Sequence, residues 1–371
     1  MPTPLKYRKP RLPSHFYVLC EPPDAKGDEV LRFISERRRI KLKGHFFREF
    51  RDYVIPLLDG RHTVEDIQHD LSDIFRPQDL EAGLALLEEN NLLQDGDGAE
   101  QDAVAPQRSF LHEVCPDPAA AQEKLVNATV TILGAGGLGA TAALALAAAG
   151  PGAIRCVDSL QITPQDTYLS PAFSRADIGG ARAEILRRRL VADTPAINVT
   201  AHTSRLASDE DIRDVVSGSD LVLSTLDGAQ SWLTYKVNRV CLAQQIRSIV
   251  GSVSGMEVVI GPVIRPGETP CYMCYKMRAV ACAEDSEGEF AFERMLDQRR
   301  QDDSARRENL SFATGIAGNL LGLEAFKLIT GAIPVPDVSR VMVFDLIDMT
   351  MKKHVVLRKP WCPACFPEGQ E

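Results

Sequence analysis

The chain has 371 residues, 44% of them hydrophobic and 25% charged, with a formal net charge of −9. This is the composition of a folded protein with room for two domains, and it excludes a disordered or fibrous chain. The acidic balance also argues against a protein that grips nucleic acid through a basic surface.

Met1 to Pro13 is basic and proline-rich without an apolar core, so it does not read as a signal peptide. Short strands are expected at Phe16–Cys20, Val30–Ile34 and Ile40–Leu42, with turn signals at Pro22-Pro23 and Lys26-Gly27. An apolar-periodic segment through Phe46, Phe47, Phe50, Val54 and Leu57 closes at Asp59-Gly60. Thr63-Val-Glu-Asp66 has the form of a capping box, with Asp in place of Glu or Gln, and opens a helix carrying Ile67, Leu71 and Ile74. Arg76-Pro77 breaks that helix, and Leu80, Leu84 and Leu87 mark another. Strands followed by three short helices predict a winged helix-turn-helix unit over residues 1–95. Residues 1–51 hold 13 basic and 6 acidic side chains, whereas residues 52–95 hold 2 basic and 11 acidic. The helix that would enter a DNA groove carries Asp79, Glu81, Glu88 and Glu89, so phosphates would repel it. The basic residues lie on the strands instead. They suit either a solvated face or an acidic peptide added at a strand edge.

Residues 96–124 read as a linker. From Leu125 to Ile154 no residue is charged, which is long enough to span a membrane. Gly134, Gly136, Gly137 and Gly139 and a run of alanines favour a buried strand, turn and helix instead, hence no membrane and a cytoplasmic, reducing setting. Alternating strands and helices over residues 125–371 predict a doubly wound α/β domain. Glu284 to Glu308, with 14 ionisable residues in 25, reads as a solvated loop or helix.

Two motifs carry chemistry. Gly134-Ala-Gly136-Gly137-Leu-Gly139 fits G-x-G-x-x-G after a strand, and Asp158 ends the next strand, where a ribose-binding acid is expected. Alone, this pattern fits a dehydrogenase, or a tight turn with no ligand. Cys271-Tyr-Met-Cys274 and Cys362-Pro-Ala-Cys365 are two thiolate pairs that predict one closed, structural Zn2+ site. The other five cysteines read as buried small hydrophobes, although Cys282 borders the charged segment, where a nucleophile is conceivable.

Together, the glycine turn, the acid after the second strand and the paired cysteines resemble the ThiF/MoeB/ubiquitin-activating superfamily. Asp177-Ile-Gly179, Thr225-Leu-Asp227, Tyr235, Asn238 and the Gly315–Gly331 segment with Glu324 and Lys327 agree. The resemblance implies a ThiF-like Rossmann domain that binds ATP and Mg2+, with Asp158 on the ribose and Asp227 on the magnesium. It also implies adenylation of a carboxylate on a small protein or peptide. The chain departs from the family where Asn-Leu-x-Arg-Gln becomes Asp166-Thr-Tyr-Leu169-Ser170 and the expected lysine becomes Arg182. Asp166 and Leu169 cannot neutralise a phosphate, whereas Arg182 retains a charge that can. Arg11-Leu-Pro-Ser-His-Phe16, Leu57–Thr63 and Leu87–Leu92 resemble the leader-peptide recognition element of ribosomal-peptide modifying enzymes. That combination is similar to the cyclodehydratase partner proteins of azoline pathways, in which a YcaO protein uses the ATP. The expectation is a homodimer that binds a leader peptide and supports cyclisation by a YcaO partner. The alternative is a self-sufficient ATP-using enzyme of the MccB and pantocin type, and sulfur-carrier adenylation is a third reading.

Overall fold

Period-two alternation builds the first sheet of the protein. A computed structural model describes residues 7–23, 25–96, 104–115, 117–226, 231–298, 309–333 and 340–366. The chain divides into two units, Met1–Pro118 and Ala119–Glu371. In the first, β1 (Pro10–Arg11) is followed by the antiparallel sheet of β2 (Tyr17–Glu21), β3 (Glu29–Ile34) and β4 (Arg39–Gly44), with β3 central. Cys20, Leu31 and Leu42 pair across one rung, and Val18, Phe33 and Ile40 across another; both rows join the core. Leu19, Arg32 and Lys41 form an outward rung, so an apolar edge at β2 gives way to a basic edge at β4.

The apolar segment after Phe46 is not one helix. It runs as α1 (Phe47–Glu49), a π-helical turn at Phe50–Val54 and a 3-10 turn at Ile55–Leu57. Phe50, Val54 and Leu58 are buried at a spacing of four, and widening the turn keeps that spacing on one face. Pro56 then denies the ladder a donor. The capping box forms as expected: the Asp66 amide donates to Thr63 Oγ1 at 3.1 Å and the Thr63 amide donates back to Asp66 Oδ2 at 2.9 Å. It opens α2 (Val64–Asp70). Next, α3 (Pro77–Glu89) starts on proline, buries Leu80, Leu84 and Leu87, and leads into β5 (Gln94–Asp95), which pairs with β1. The segment expected to be a linker carries α4 (Ala105–Val114) and the start of α5 (Pro118–Val126).

In the second unit, the elements in order are β6 (Thr129–Leu133), α6 (Gly137–Ala149), β7 (Ala153–Val157), α7 (Pro164–Leu169), α8 (Arg182–Asp193) and β8 (Asn198–His202). They are followed by α9 (Asp209–Val216), β9 (Leu221–Ser224), α10 (Ser231–Ala243), β10 (Arg247–Ser254), β11 (Glu257–Ile264) and α11 (Tyr272–Ala281). The last elements are α12 (Ser286–Gln298), α13 (Ser311–Thr330), β12 (Arg340–Asp345) and β13 (Thr350–Val355). The eight-stranded sheet has the order β13-β12-β11-β10-β9-β6-β7-β8. From β10 to β8 neighbouring strands are parallel, as a doubly wound domain requires. From β10 to β13 they are antiparallel, so the sheet is mixed, with antiparallel strands added at one side of the expected doubly wound core. The reversal happens at a two-residue turn between Ser254 and Glu257, where Gly255 takes φ +61°.

The uncharged stretch Leu125–Ile154 becomes the end of α5, then β6, the glycine turn, α6 and the start of β7. Against α6 lies α13, which among the described residues is the helix long and apolar enough to cross a membrane. A side-chain carbon on Gly318 would sit 2.5 Å from Thr141 Cβ, so the two backbones approach as closely as glycine allows. Most of the apolar surface of α13 is therefore buried inside the unit.

Candidate functional site: the glycine turn, a buried charge cluster and four cysteines

The turn after β6 is held mainly by packing. Gly134 takes φ +97°, and Gly136 caps α6. A Cβ on Gly139 would fall 1.8 Å from Gly134 O, and one on Gly137 would fall 2.9 Å from Leu169 Cβ. Thr225 Oγ1 donates to Gly134 O at 2.7 Å and pins the turn to the end of β9. Leu169 therefore lies against the turn itself.

Asp158 and Arg182 meet in a buried cluster with Asp166. Asp158 Oδ2 accepts from the Ala135 amide at 2.8 Å, and Oδ1 accepts from the Leu160 amide at 2.8 Å. Arg182 donates to Asp166 Oδ1 at 2.7 Å and to Asp158 Oδ2 at 3.5 Å. All three side chains are buried, Arg182 and Asp166 to 2% exposure. Asp166 Oδ2 also closes the Thr163 capping box at the start of α7. Burial pushes the Asp158 carboxyl up, and the Arg182 guanidinium opposes that shift. Arg182, which the sequence left able to meet a phosphate, lies between these two carboxylates; with both ionised, these three side chains sum to minus one. Asp227, the expected magnesium ligand, lies outside the described residues.

Two cavities flank this cluster. One of about 190 Å³ is lined by Gly137, Asp166, Leu169, Arg182, Ser224 and Lys276, among others. The other, beside Asp158, Leu206 and Trp232, holds about 20 Å³, the room of a single water. No motif in the chain singles out Ser224 or Lys276. Ser224 ends an ordinary buried strand, and Lys276 follows a metal-type cysteine pair whose pattern draws attention to its sulfurs.

The four cysteines converge as their spacing predicts. The Sγ atoms of Cys271, Cys274, Cys362 and Cys365 all lie within 4.8 Å of one another. The shorter separations are 3.7 Å from Cys271 to Cys362 and 3.6 Å from Cys274 to Cys365. Four thiolates at Zn–S distances of about 2.3 Å around a tetrahedron would be about 3.8 Å apart, so this donor set fits such an ion. The Lys359 amide points at Cys274 Sγ at 3.4 Å. Hydrogen bonding from Cys271 Sγ draws the Cys274 thiol down, while the same contact and burial push the Cys271 thiol up. Two further residues singled out in the sequence brace this end. Asn238 Oδ1 accepts from the Tyr272 amide at 3.0 Å, and the Tyr235 and Tyr272 rings meet edge-on at 5.3 Å. Glu324 and Lys327 pair with each other along α13.

A sequence model of the ThiF family matches residues 108–364. The sulfur carrier protein ThiS adenylyltransferase of Escherichia coli (strain K12) is 27% identical over 245 residues, covering 66% of this chain and 88% of that protein. Escherichia coli MccB, solved with ATP and with MccA-N7isoASN, superposes with a TM-score of 0.69 in the latter form at 19% identity. That match covers 96% of this chain and 99% of MccB. PaaA superposes with a TM-score of 0.68 at 18% identity, over 94% of this chain and all of PaaA. At these identities the two solved structures share the fold.

Proposed function

Because the chain belongs to the ThiF family, we propose that it is the peptide-capturing component of a system that modifies a ribosomally made precursor. Residues 1–95 act as a winged-helix domain that binds the leader peptide, 96–124 connect, and 125–371 present the core for ATP-dependent cyclisation with a YcaO-type partner. The observation that carries this reading is the Asp158–Arg182–Asp166 cluster beside Leu169. Its buried net negative charge opposes a triphosphate where the family places cations. The edge position of β4 supports peptide capture, since its main chain can pair with an extended leader beside Lys41 and Lys43. Structural Zn2+ on Cys271, Cys274, Cys362 and Cys365, a homodimer and a cytoplasmic setting belong to the same reading.

A second reading is favoured by the likeness to MccB, whose match spans nearly the whole chain where the ThiS adenylyltransferase match spans 66%. In it the chain binds ATP-Mg2+ itself through Gly134, Gly136, Gly137, Gly139, Asp158 and Asp227, with Arg182 beside the phosphates, and adenylates or phosphorylates its peptide. Incubating the purified full chain with ATP, Mg2+ and its precursor separates the two. The first reading expects leader binding with negligible ATP turnover, and peptide-dependent turnover once the YcaO protein is added. Modified peptide from the chain alone, abolished by Asp227→Ala, would establish the second.

A further inference from the structure

We propose that β13, the strand at one edge of the eight-stranded sheet, takes a further strand from a partner protein whose side chains alternate between acidic and apolar. Its inner side pairs with β12, from Val355 opposite Arg340 to Thr350 opposite Asp345. Among the described residues no strand pairs with its outer side. All six of its side chains are exposed, so a strand laid along it displaces only water. An open row of main-chain donors and acceptors is a template for strand addition.

The two faces of β13 state what the added strand must carry. Thr350, Lys352 and His354 lie on one face, and Met351, Lys353 and Val355 on the other. From Met349 to Phe366 the chain holds Lys352, Lys353, Arg358 and Lys359 and no acidic residue, in a protein of net charge −9. Lys352 and Lys353 are exposed and unpaired among the described residues. The Met351 face loses its cover towards the edge. Val258, Phe344 and Met351 form one rung across β11, β12 and β13, in which the first is buried, the second half-buried and the third 45% exposed. Acidic side chains would meet the lysines, and apolar ones would extend this rung.

The same charges select against a second copy of the chain. Two β13 strands paired antiparallel about their centre would set Lys352 opposite Lys353 twice, and like charges directly opposite are destabilising. The lysines therefore close the edge to its own kind and leave it open to an acidic strand. An anionic lipid surface would also meet the lysines, but it would leave the main-chain row unpaired. The strand is held ready for a partner. Val356, next in the chain, is buried in the cluster that contains Cys271, Cys274 and Cys362, and Arg358 donates to Gly267 O at 2.8 Å. Docking then orders only the incoming segment. The inference is independent of the reading above, since the added strand is neither leader nor core.

The test uses the full chain and the probe peptide acetyl-Glu-Val-Glu-Leu-Glu-Val-Glu-amide, with two counterparts. One has lysine in place of every glutamate, and the other has alternate backbone amides methylated. The acidic probe is expected to bind about tenfold more tightly than the lysine probe, through attraction in one case and repulsion in the other. Backbone methylation should abolish binding, and the bound acidic probe should slow amide exchange within residues 350–355. Lys352→Glu combined with Lys353→Glu should reverse the preference with leader affinity unchanged. If melting shows that variant to be unfolded, Lys352→Gln with Lys353→Gln takes its place and should abolish the preference. Equal binding of the two probes, no binding of either, undiminished binding of the methylated probe, or tighter binding to phosphatidylserine vesicles would overturn the proposal. So would sedimentation in which the double variant alone fails to dimerise. Failure of the unaltered protein to bind leader would count against the leader-capture reading alone.

Discussion

The cysteine cluster and the glycine turn belong to the same sheet domain, and both match their sequence patterns, yet their surroundings differ. Around Cys271, Cys274, Cys362 and Cys365 the donor set is complete and its bracing intact. Around Gly134 to Gly139 the turn keeps its shape while Leu169 packs against it and Arg182 is paired with Asp166 beside it. A closed four-sulfur site loses its coordination sphere when one ligand changes, so it survives whole or not at all. A glycine turn has two jobs, packing and ligand approach, and packing alone keeps Gly139 where a Cβ would strike Gly134 O. The fingerprint therefore records a backbone geometry and says less about what binds there.

The largest expected effect tests the intact half of this comparison. Cys362→Ser combined with Cys365→Ser, or stripping the metal with a strong chelator, removes a structural site worth on the order of 10 kcal/mol. Loss of a cooperative melt is expected, and metal analysis of the unaltered protein should return one Zn2+ per chain. A metal-free protein that melts normally would erase the contrast between the two regions.

Arg182→Met tests the altered half. It leaves Asp158 and Asp166 buried without their cation, at a cost of about 3–5 kcal/mol. Adding Asp166→Leu should recover part of that loss, which a melting series would show. The sign with pH follows from Asp158, whose folded carboxyl is already pushed up by burial and loses its opposing cation in the variant. A raised carboxyl favours folding when protonated and penalises it as pH rises through the folded value. The deficit of Arg182→Met should therefore be largest at high pH and shrink on acidification.

Gly139→Ala sharpens the claim that packing explains the turn. Overpacking of this kind costs about 1–3 kcal/mol, readable as a shift in denaturant midpoint, and leader binding should be untouched.

The smallest effect uses three copies of one local motif. Thr63–Asp66, Thr163–Asp166 and Ser208–Asp211 are the same capping box, exposed at α2 and α9 but buried against Arg182 at α7. Hydrogen bonds from the Thr63 and Ser208 amides hold Asp66 and Asp211 below their ordinary value near 3.8. Their contribution is present above that value and fades as pH falls through the lowered ones. Protection of the amides at the starts of α2 and α9, taken relative to the intrinsic exchange rate at each pH, should accordingly fall on acidification below about pH 4.

Local pattern made the three strands of the first sheet, the Thr63 box and the two strands around the glycine turn legible. The Ser254–Glu257 hairpin went unread, although a glycine stands at its two-residue turn. Phe46 to Leu57 looked like a single helix because periodicity does not register a widened turn.

What the sequence by itself determined is whatever depends on neighbours in the chain: strand alternation, caps, the glycine turn and the donor chemistry of four cysteines. Only the tertiary structure decided that β11 to β13 complete a mixed sheet, that Arg182 is matched by two carboxylates, and that Lys276 and Ser224 share one cavity. Those outcomes join residues far apart in sequence. Their charges and hydrogen bonds acquire meaning only through burial, where an unmatched group costs several kcal/mol and a matched one is no longer available to a ligand.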